Sequence, residues 1–195
     1  MNPESNDMAK KTSKIKSGKL ILAEPFMLDP HFRRSVVFLC EHHQKNGSVG
    51  FIINKPLKMK INEMVEDFPE IEAELYYGGP VGTDTLHFIH NVGDLLEDSV
   101  PVIRGVYWGG NFEKLKFLIE RQLIGPDNIR FFVGYSGWVK GQLSEEMEVG
   151  SWIVAEGDPN YVFKIKSNIL WKRVLNDKGH TFSVISELPE NMSWN

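Results

Sequence analysis

The apolar residues of this chain occur in short runs that polar or glycine-containing segments separate. Two runs, residues 35–41 and 48–54, are rich in β-branched and aromatic side chains and flank Asn46-Gly47, a pair typical of tight turns. This pattern predicts a β-hairpin. Because its apolar positions are nearly continuous rather than alternating, both faces of the strands are expected to be covered. Further strands are predicted at residues 19–25, 75–77, 85–89, 102–108, 129–133 and 152–155.

Apolar residues at helical spacing predict four helices, at residues 61–68, 111–124, 142–149 and 167–178. The first ends before Pro69, which cannot continue a helix. Asn111 is expected to cap the second helix and Gly125 to end it, while Ser167 and Gly179 are expected to do the same for the last. Strands and helices interleave irregularly, which predicts a single α+β domain around a largely buried mixed sheet.

Length and composition fit this picture. The chain has 195 residues, of which 42% are hydrophobic and 25% charged, values that are ordinary for a globular domain. No apolar run approaches the ~20 residues that span a bilayer, and the polar N-terminus lacks the apolar segment of a signal peptide. Residues 1–17 are predicted to be a disordered basic tail, and residues 18–195 a single domain that does not enter a membrane.

Charge is distributed unevenly along the chain. The formal net charge is −4, but residues 1–19 carry five lysines against two carboxylates, a balance of +3 that leaves −7 on the rest. An acidic body opposes the phosphate backbone, which argues against nucleic-acid binding by the folded part. Cys40 is the single cysteine, so an intramolecular disulfide cannot form, and a reducing cytoplasm is the expected compartment.

The segment 131–152 has the densest set of aromatic and polar side chains in the sequence. A Phe-rich strand is predicted to run into a glycine-broken turn that carries Tyr135 and Trp138, and then into Gln142 at a helix start. Two amphipathic rings and an amide in one rigid corner predict a concave site for a small polar ligand. The alternative is that the same residues form a core corner and a helix cap.

Candidate chemistry elsewhere is weaker. Cys40 and His42 are two residues apart on one strand, the arrangement of an activated thiolate, but neighbours along one strand face lie ~7 Å apart. A buried structural cysteine is therefore favoured over a redox or nucleophilic one. Ser136 resembles a hydrolase elbow serine, yet Trp138 stands where that elbow needs glycine, which favours a turn serine. Histidine spacing predicts no metal site, and no cofactor motif is present.

Several spaced motifs together resemble the AlgH/YqgE family, over roughly residues 18–178. They are GKLILAEP (18–25), DPHFRRSVV (29–37), EH (41–42), GFIINKP (50–56), GGPV (78–81), and GYSGW (134–138) followed by GQL (141–143). The chain departs from the family by its Lys-rich N-terminus and by Ser136, where the family often has alanine. This last difference argues further against a nucleophilic serine.

The resemblance implies a bacterial cytoplasmic protein whose mixed, bifurcated sheet folds into a pseudo-barrel with helices packed outside. Some members are labelled as transcriptional regulators of alginate synthesis, but the label describes a phenotype and not a molecular activity. A regulatory or interaction protein is therefore expected, with an unknown protein or a small polar ligand as partner. Arg34 and Asn54, from two of the shared motifs, join Tyr135, Trp138 and Gln142 as the predicted ligand-binding residues. An enzyme or redox protein using Cys40, or a DNA-binding regulator, is the alternative.

Overall fold

The computed structural model describes residues 15–188. Within this range the chain forms a ten-stranded sheet with helices packed around it, and strands and helices are interspersed along the chain, as in an α+β fold. The strands are β1 (Leu20–Ala23), β2 (Val36–His43), β3 (Gly47–Ile52), β4 (Pro56–Lys60), β5 (Glu74–Tyr77), β6 (Val81–His90), β7 (Val100–Ile103), β8 (Val106–Trp108), β9 (Ile129–Trp138) and β10 (Trp152–Ala155). The helices are α1 (Ile61–Met64), α2 (Phe112–Glu120), α3 (Gln142–Glu148), α4 (Pro159–Phe163), α5 (Ser167–Asp177) and α6 (His180–Ser186).

The sheet is mixed and branches at β9. Along the main path the hydrogen-bonded order is β10-β1-β2-β3-β9-β6-β8-β7, and β5 pairs with both β4 and β9. The C-terminal end of β9 pairs antiparallel with β3 and its N-terminal half pairs parallel with β5, while β6 pairs antiparallel with β9 from Ile129 to Tyr135. β10 and β7 are the two ends of the order and do not pair with each other, so the curved sheet is a pseudo-barrel and not a closed barrel. The expected bifurcated α+β fold is confirmed.

Gly78 lies at the branch point and holds three segments together. Its N–H donates to Val133 O of β9, and its carbonyl accepts from Ile52 N of β3, both at 2.9 Å. A Cβ on Gly78 would lie 2.2 Å from Gly134 O, a distance that no side chain allows. Gly134 itself has φ +65°, and a Cβ there would lie 2.7 Å from Gly79 O. Glycine is therefore required on both sides of this backbone contact, which confirms a structural corner at residues 78–82.

Three hydrophobic clusters fill the spaces around the sheet. The largest is built on Phe38, Phe51 and Phe132 and is covered by the apolar face of α5. A second lies under α2 around Phe131, and a third contains Trp138, Trp152 and the apolar face of α3. The predicted hairpin of β2 and β3 is confirmed, and its strands are central and almost fully buried. No helix within residues 15–188 combines the length and hydropathy needed to cross a membrane.

Several local predictions need correction. Residues 134–138 were predicted as a turn but continue β9, because Gly134 adopts a positive φ and lets one strand change partners. The strand expected at 102–108 is a hairpin of β7 and β8 that turns at Gly105, with φ +78°. Ser167 is the first helical residue of α5 and not its cap. The short helices α4 and α6 were not predicted, since neither is long enough to show a clear apolar period.

The N-terminal boundary is also clearer in the structure. Residues 1–14 of the predicted basic tail lie outside the described residues. Ile15 is buried against the third cluster, and Ser17 Oγ accepts a hydrogen bond from His42 N at 3.0 Å. The packed part of the chain therefore includes residues 15–17.

Candidate functional site

Trp138 lies in a closed part of the structure and not in an open corner. Its side chain is 5% exposed, and its ring contacts Phe32 and Trp152 at centroid distances of 6.1 and 5.7 Å. The indole N–H donates to Glu146 Oε2 at 2.9 Å, and the indole N–H of Trp152 donates to the same oxygen at 2.7 Å. Both polar groups of these rings are thus satisfied within the protein.

Gln142 completes the same arrangement at the start of α3. Its Oε1 accepts from Val139 N at 3.1 Å, and its Nε2 donates to Glu146 Oε1 at 2.9 Å. The residue before it, Gly141, is the N-cap and offers no side chain, so Gln142 supplies the polar contacts of this turn. The amide is used internally at both ends, as the alternative interpretation of a helix cap expects.

Tyr135 faces the opposite side of β9, because it lies three positions before Trp138 on one strand and successive side chains alternate between the two faces. Its half-buried ring packs against the largest hydrophobic cluster and meets His87 edge to face at 5.7 Å. Burial lowers the pKa of His87, which favours the neutral imidazole in this contact. The two rings therefore pack in different hydrophobic clusters, Tyr135 against the largest and Trp138 in the third, although both residues border the groove described next.

A groove of about 300 Å³ opens beside Tyr135. Its floor is formed where Gly137 of β9 pairs with Val49 of β3, and Val81 of β6 pairs with Tyr135. Gly137 has no side chain, which leaves space above this floor. A Cβ at this position would lie 3.1 Å from Tyr135 Cε2 and would occupy that space. The remaining lining residues are Glu41, Asn46, Gly47, Ser48, Trp138 and Val139. The lining thus combines aromatic and aliphatic side chains with polar groups.

Glu41 supplies the formal negative charge of this lining. Its Oε1 lies 3.1 Å from His43 Nε2, and both side chains remain substantially exposed. A ligand with a hydrogen-bond donor can therefore reach the carboxylate from solvent. The dimensions fall at the lower end of those found for small-molecule sites.

Arg34 and Asn54 belong to a different region, near the C-terminal helices. Arg34 has a positive φ of 50°, its guanidinium lies 4.7 Å above the Trp171 ring, and it donates to Leu188 O. Asn54 accepts from Val36 N at 2.8 Å and donates to Arg34 O at 2.9 Å. Neither residue lines the groove beside Tyr135, so the structure does not bring the five predicted ligand residues together.

Cys40 is a core residue in the structure. It is 5% exposed within the largest cluster and lies where the pairing of β2 with β3 shifts by one residue. Burial, and secondarily the charge of Glu41, raises the pKa of the Cys40 thiol well above its usual range. His42 Nδ1 instead lies 2.7 Å from Ser48 Oγ. This arrangement does not provide the thiolate that a redox or nucleophilic cysteine requires.

Ser136 and the histidines show no catalytic arrangement either. Ser136 is fully buried within β9, two residues before the strand ends, and donates to Gly78 O at 3.0 Å, so it is a strand residue and not the turn residue of a hydrolase elbow. Across residues 15–188, no group of three or more histidine, cysteine or acidic side chains is placed to hold a metal ion.

Two important residues were missed by sequence reasoning. Glu146 follows Gln142 by four residues, the spacing of neighbours on a helix face. That spacing was a usable signal, but three glutamates occur in the predicted helix and only the position of Trp152 distinguishes them. The sequence around Gly137 did not indicate its place in the groove, because that place depends on its pairing with Val49 of β3.

Comparison with known proteins shows clear relatives. The model of the AlgH-like family matches residues 20–183. A UPF0301 protein of Chlorobium phaeobacteroides is 41% identical over 183 residues, which cover 94% of this chain and 97% of the relative. A UPF0301 protein of Chlorobaculum tepidum is 43% identical over 176 residues, which cover 90% of this chain and 94% of the relative.

Two solved structures have a similar fold. The solution structure of the AlgH protein from Pseudomonas aeruginosa superimposes with a TM-score of 0.69 at 25% identity, covering 88% of this chain and 93% of that one. The crystal structure of a protein from Corynebacterium diphtheriae gives a TM-score of 0.72 at 21% identity, covering 90% and 93%. At this lower identity the second likeness concerns the fold alone.

Proposed function

The chain belongs to the AlgH-like family, and we propose that it is a cytoplasmic regulatory or interaction protein that acts by binding and not by catalysis. Its binding site in this proposal is the groove beside Tyr135, and its ligand is a small polar molecule with one apolar face. The observation that carries the proposal is the space above Gly137, which the Tyr135 ring and the solvent-accessible carboxylate of Glu41 border.

The groove has the chemistry that such a ligand needs. The Tyr135 ring and the side chains of Val49 and Val81 offer apolar contact, while Glu41 accepts hydrogen bonds from a donor group. Asn46 and Gly47 of the hairpin turn also line the groove. These features support recognition of a molecule that presents a flat apolar surface and a polar, donor-bearing edge.

Binding is favoured over catalysis by the state of the reactive side chains. The only cysteine is buried with a raised thiol pKa, and Ser136 is held in a strand by a backbone carbonyl. The acidic balance of the chain after residue 19 argues against DNA as the partner of the folded body. A single cysteine without a disulfide partner suits a reducing compartment, which supports a cytoplasmic location.

The test uses Gly137→Ala, which adds one methyl group to the groove floor. The residue does not have a positive φ, and its new Cβ would lie 3.1 Å from Tyr135 Cε2, so the change fills the site and requires the Tyr135 ring to shift by a few tenths of an ångström. Gly125→Ala is the matched control, because its new Cβ would meet only Asn128 Oδ1 at 3.9 Å, outside the groove. Both variants are first compared with the wild type in thermal unfolding without ligand.

A library of nucleotides and polar metabolites is then screened by thermal shift. A compound that stabilises the wild type and Gly125→Ala, but binds Gly137→Ala about tenfold more weakly, supports the groove as the site. Equal binding to both variants would place the ligand elsewhere. If no compound stabilises the wild type, the proposal of a small-molecule ligand fails.

A further inference from the structure

A second cavity, of about 390 Å³, lies between β4, β5, β9 and the start of α5. It shares none of the residues that line the Tyr135 groove. Its lining is rich in positive charge, in contrast to the acidic balance of the chain after residue 19. The lining residues are Pro56, Glu74, Tyr76, Arg130, Lys164, Ile165, Lys166, Ser167 and Asn168.

Arg130 is the buried charge of this cavity. It projects from β9 and is 8% exposed. Its Nη1 donates to Ile53 O at 2.8 Å, and its guanidinium carbon lies 4.8 Å from the centre of the Tyr76 ring. Within residues 15–188, no carboxylate oxygen lies within the 4.0 Å of an ion pair with this guanidinium.

A buried arginine without a carboxylate is unusual. Charged groups removed from water are costly unless they are paired and hydrogen-bonded, and buried charges in proteins are normally paired for this reason. A guanidinium has five N–H donors, of which one is bonded to Ile53 O here. The others are not among the enclosed polar atoms that lack a partner, so they reach the cavity or the solvent.

The carboxylate of Glu74 does not fill this role. It is exposed, and it accepts a hydrogen bond from Tyr76 Oη at 3.1 Å. Burial lowers the pKa of Arg130, and the neighbouring Tyr76 and Glu74 only partly oppose that effect. An anion entering the cavity would compensate the guanidinium more directly.

Helix α5 begins at the same cavity and adds a second source of positive potential. It is 11 residues long, and its N-cap Lys166 makes no side-chain hydrogen bond to the first turn. The first-turn N–H groups therefore lack the acceptor that a capping side chain would supply, and the helix dipole adds to their attraction for anions. Lys164 and Lys166 are exposed at the opening, and Ser167 Oγ lies 3.5 Å from Tyr76 Oη.

We propose that this cavity binds the phosphate group of a small molecule. The fork of Arg130 matches two phosphate oxygens, the first turn of α5 supplies backbone donors, and Lys164 and Lys166 neutralise the remaining charge. The Tyr76 ring offers an apolar wall for whatever the phosphate is attached to. This site goes beyond the proposed function, because it does not depend on the Tyr135 groove.

The first measurement is an NMR titration of the wild-type chain with inorganic phosphate, at constant ionic strength set by sodium chloride. The amide signals of Ser167 and Asn168 and the Nε–H signal of Arg130 are expected to shift together and to saturate. Adenosine 5′-monophosphate is titrated in parallel. Tighter binding of the nucleotide identifies an organic phosphate as the ligand class, whereas equal affinity identifies the phosphate group alone. If these signals do not move with either compound, the proposal is wrong.

Charge variants provide the second measurement. Arg130→Met is expected to weaken phosphate binding by about tenfold or more, and Lys166→Gln by about threefold. Lys140→Gln is the matched control, because it removes the same charge from an exposed lysine outside the cavity. Arg130→Met also removes the hydrogen bond to Ile53 O, which contributes to folding. If this variant does not fold, the double variant Lys164→Gln/Lys166→Gln, which changes only exposed side chains, replaces it in the phosphate titration. Equal loss in Lys140→Gln would indicate non-specific attraction and would overturn the site.

Discussion

The indole N–H groups of Trp138 and Trp152 donate to the same oxygen, Glu146 Oε2, although the two residues belong to strands that are not neighbours. Three strands, β1 to β3, lie between β10 and β9 in the sheet order. In a flat sheet the two strands would be about 19 Å apart, yet the two rings meet at 5.7 Å with an interplanar angle of 81°. The contact thus depends on the curvature of the pseudo-barrel, and Glu146 joins its two sides.

The first prediction concerns this carboxylate. Glu146→Ala leaves two indole N–H groups and the Gln142 amide without their acceptor, so we expect a loss of about 2–4 kcal/mol in the free energy of unfolding. Urea denaturation followed by tryptophan fluorescence measures this. Glu145→Ala is the control, because Glu145 is exposed on the same helix, and its loss is expected to stay within about 0.5 kcal/mol. Equal effects of the two changes would contradict the role of Glu146.

The second prediction compares Trp138 with Gln142. Trp138→Ala removes a large buried ring and should destabilise the protein by about 3–5 kcal/mol. Gln142→Ala removes the two hydrogen bonds of a helix-start side chain and should cost about 1 kcal/mol. Since both amide ends are used internally, ligands of the Tyr135 groove should still bind the Gln142 variant. Loss of such binding would restore Gln142 as a ligand residue.

The third prediction concerns Cys40. Its buried thiol, with a raised pKa, should react slowly with a thiol reagent at neutral pH in the native state and rapidly after unfolding in urea. Because the unfolded thiol ionises first as pH rises, the unfolded state then binds fewer protons and stability should fall above about pH 8.5. Cys40→Ala should remove this alkaline loss. Rapid native labelling at pH 7 would favour a redox or enzymatic function instead.

The fourth prediction concerns acid. His90 is fully buried, its Nε2 lies 2.9 Å from Gly109 O, and its Nδ1 accepts from Val92 N at 3.3 Å. The bonding of both ring nitrogens therefore fits the neutral, Nε2-protonated tautomer, and burial lowers the pKa of His90. The unfolded histidine takes up its proton first as pH falls below about 6.5, so native stability should decrease from there.

Urea unfolding at pH 7.5, 6.5 and 5.5 measures this loss, which is at most about 1.4 kcal/mol per pH unit for each such histidine. Burial also lowers the pKa values of His42 and His87, so they add to the slope. His90→Gln should flatten the curve in this window. An unchanged slope would show that His90 is protonated in the native protein.

The candidate site was only partly predictable from sequence. Four residues of the segment 134–142 line the groove beside Tyr135, but the rings of Tyr135 and Trp138 pack in different hydrophobic clusters. Tyr135 and Trp138 point to opposite faces because Gly134 continues the strand with a positive φ. A glycine-rich sequence fits a turn equally well, and only the backbone of the 78–79 corner, packed against Gly134, selects the strand.

Local patterns determined the parts of this protein that local interactions build. The Asn46-Gly47 pair indicated the hairpin of β2 and β3, and the continuous apolar runs of both strands indicated their burial. Asn111 was recognisable as the N-cap of α2. These features are predictable because turn formation, capping and side-chain periodicity depend on residues a few positions apart. The tertiary structure alone decided the branching at β9, the sharing of Glu146 by two indoles and the burial of Arg130 next to the start of α5. The first and the last join residues far apart in the chain, and the Glu146 contact joins strands that are not neighbours in the sheet, so all three depend on the pairing and curvature of the whole sheet.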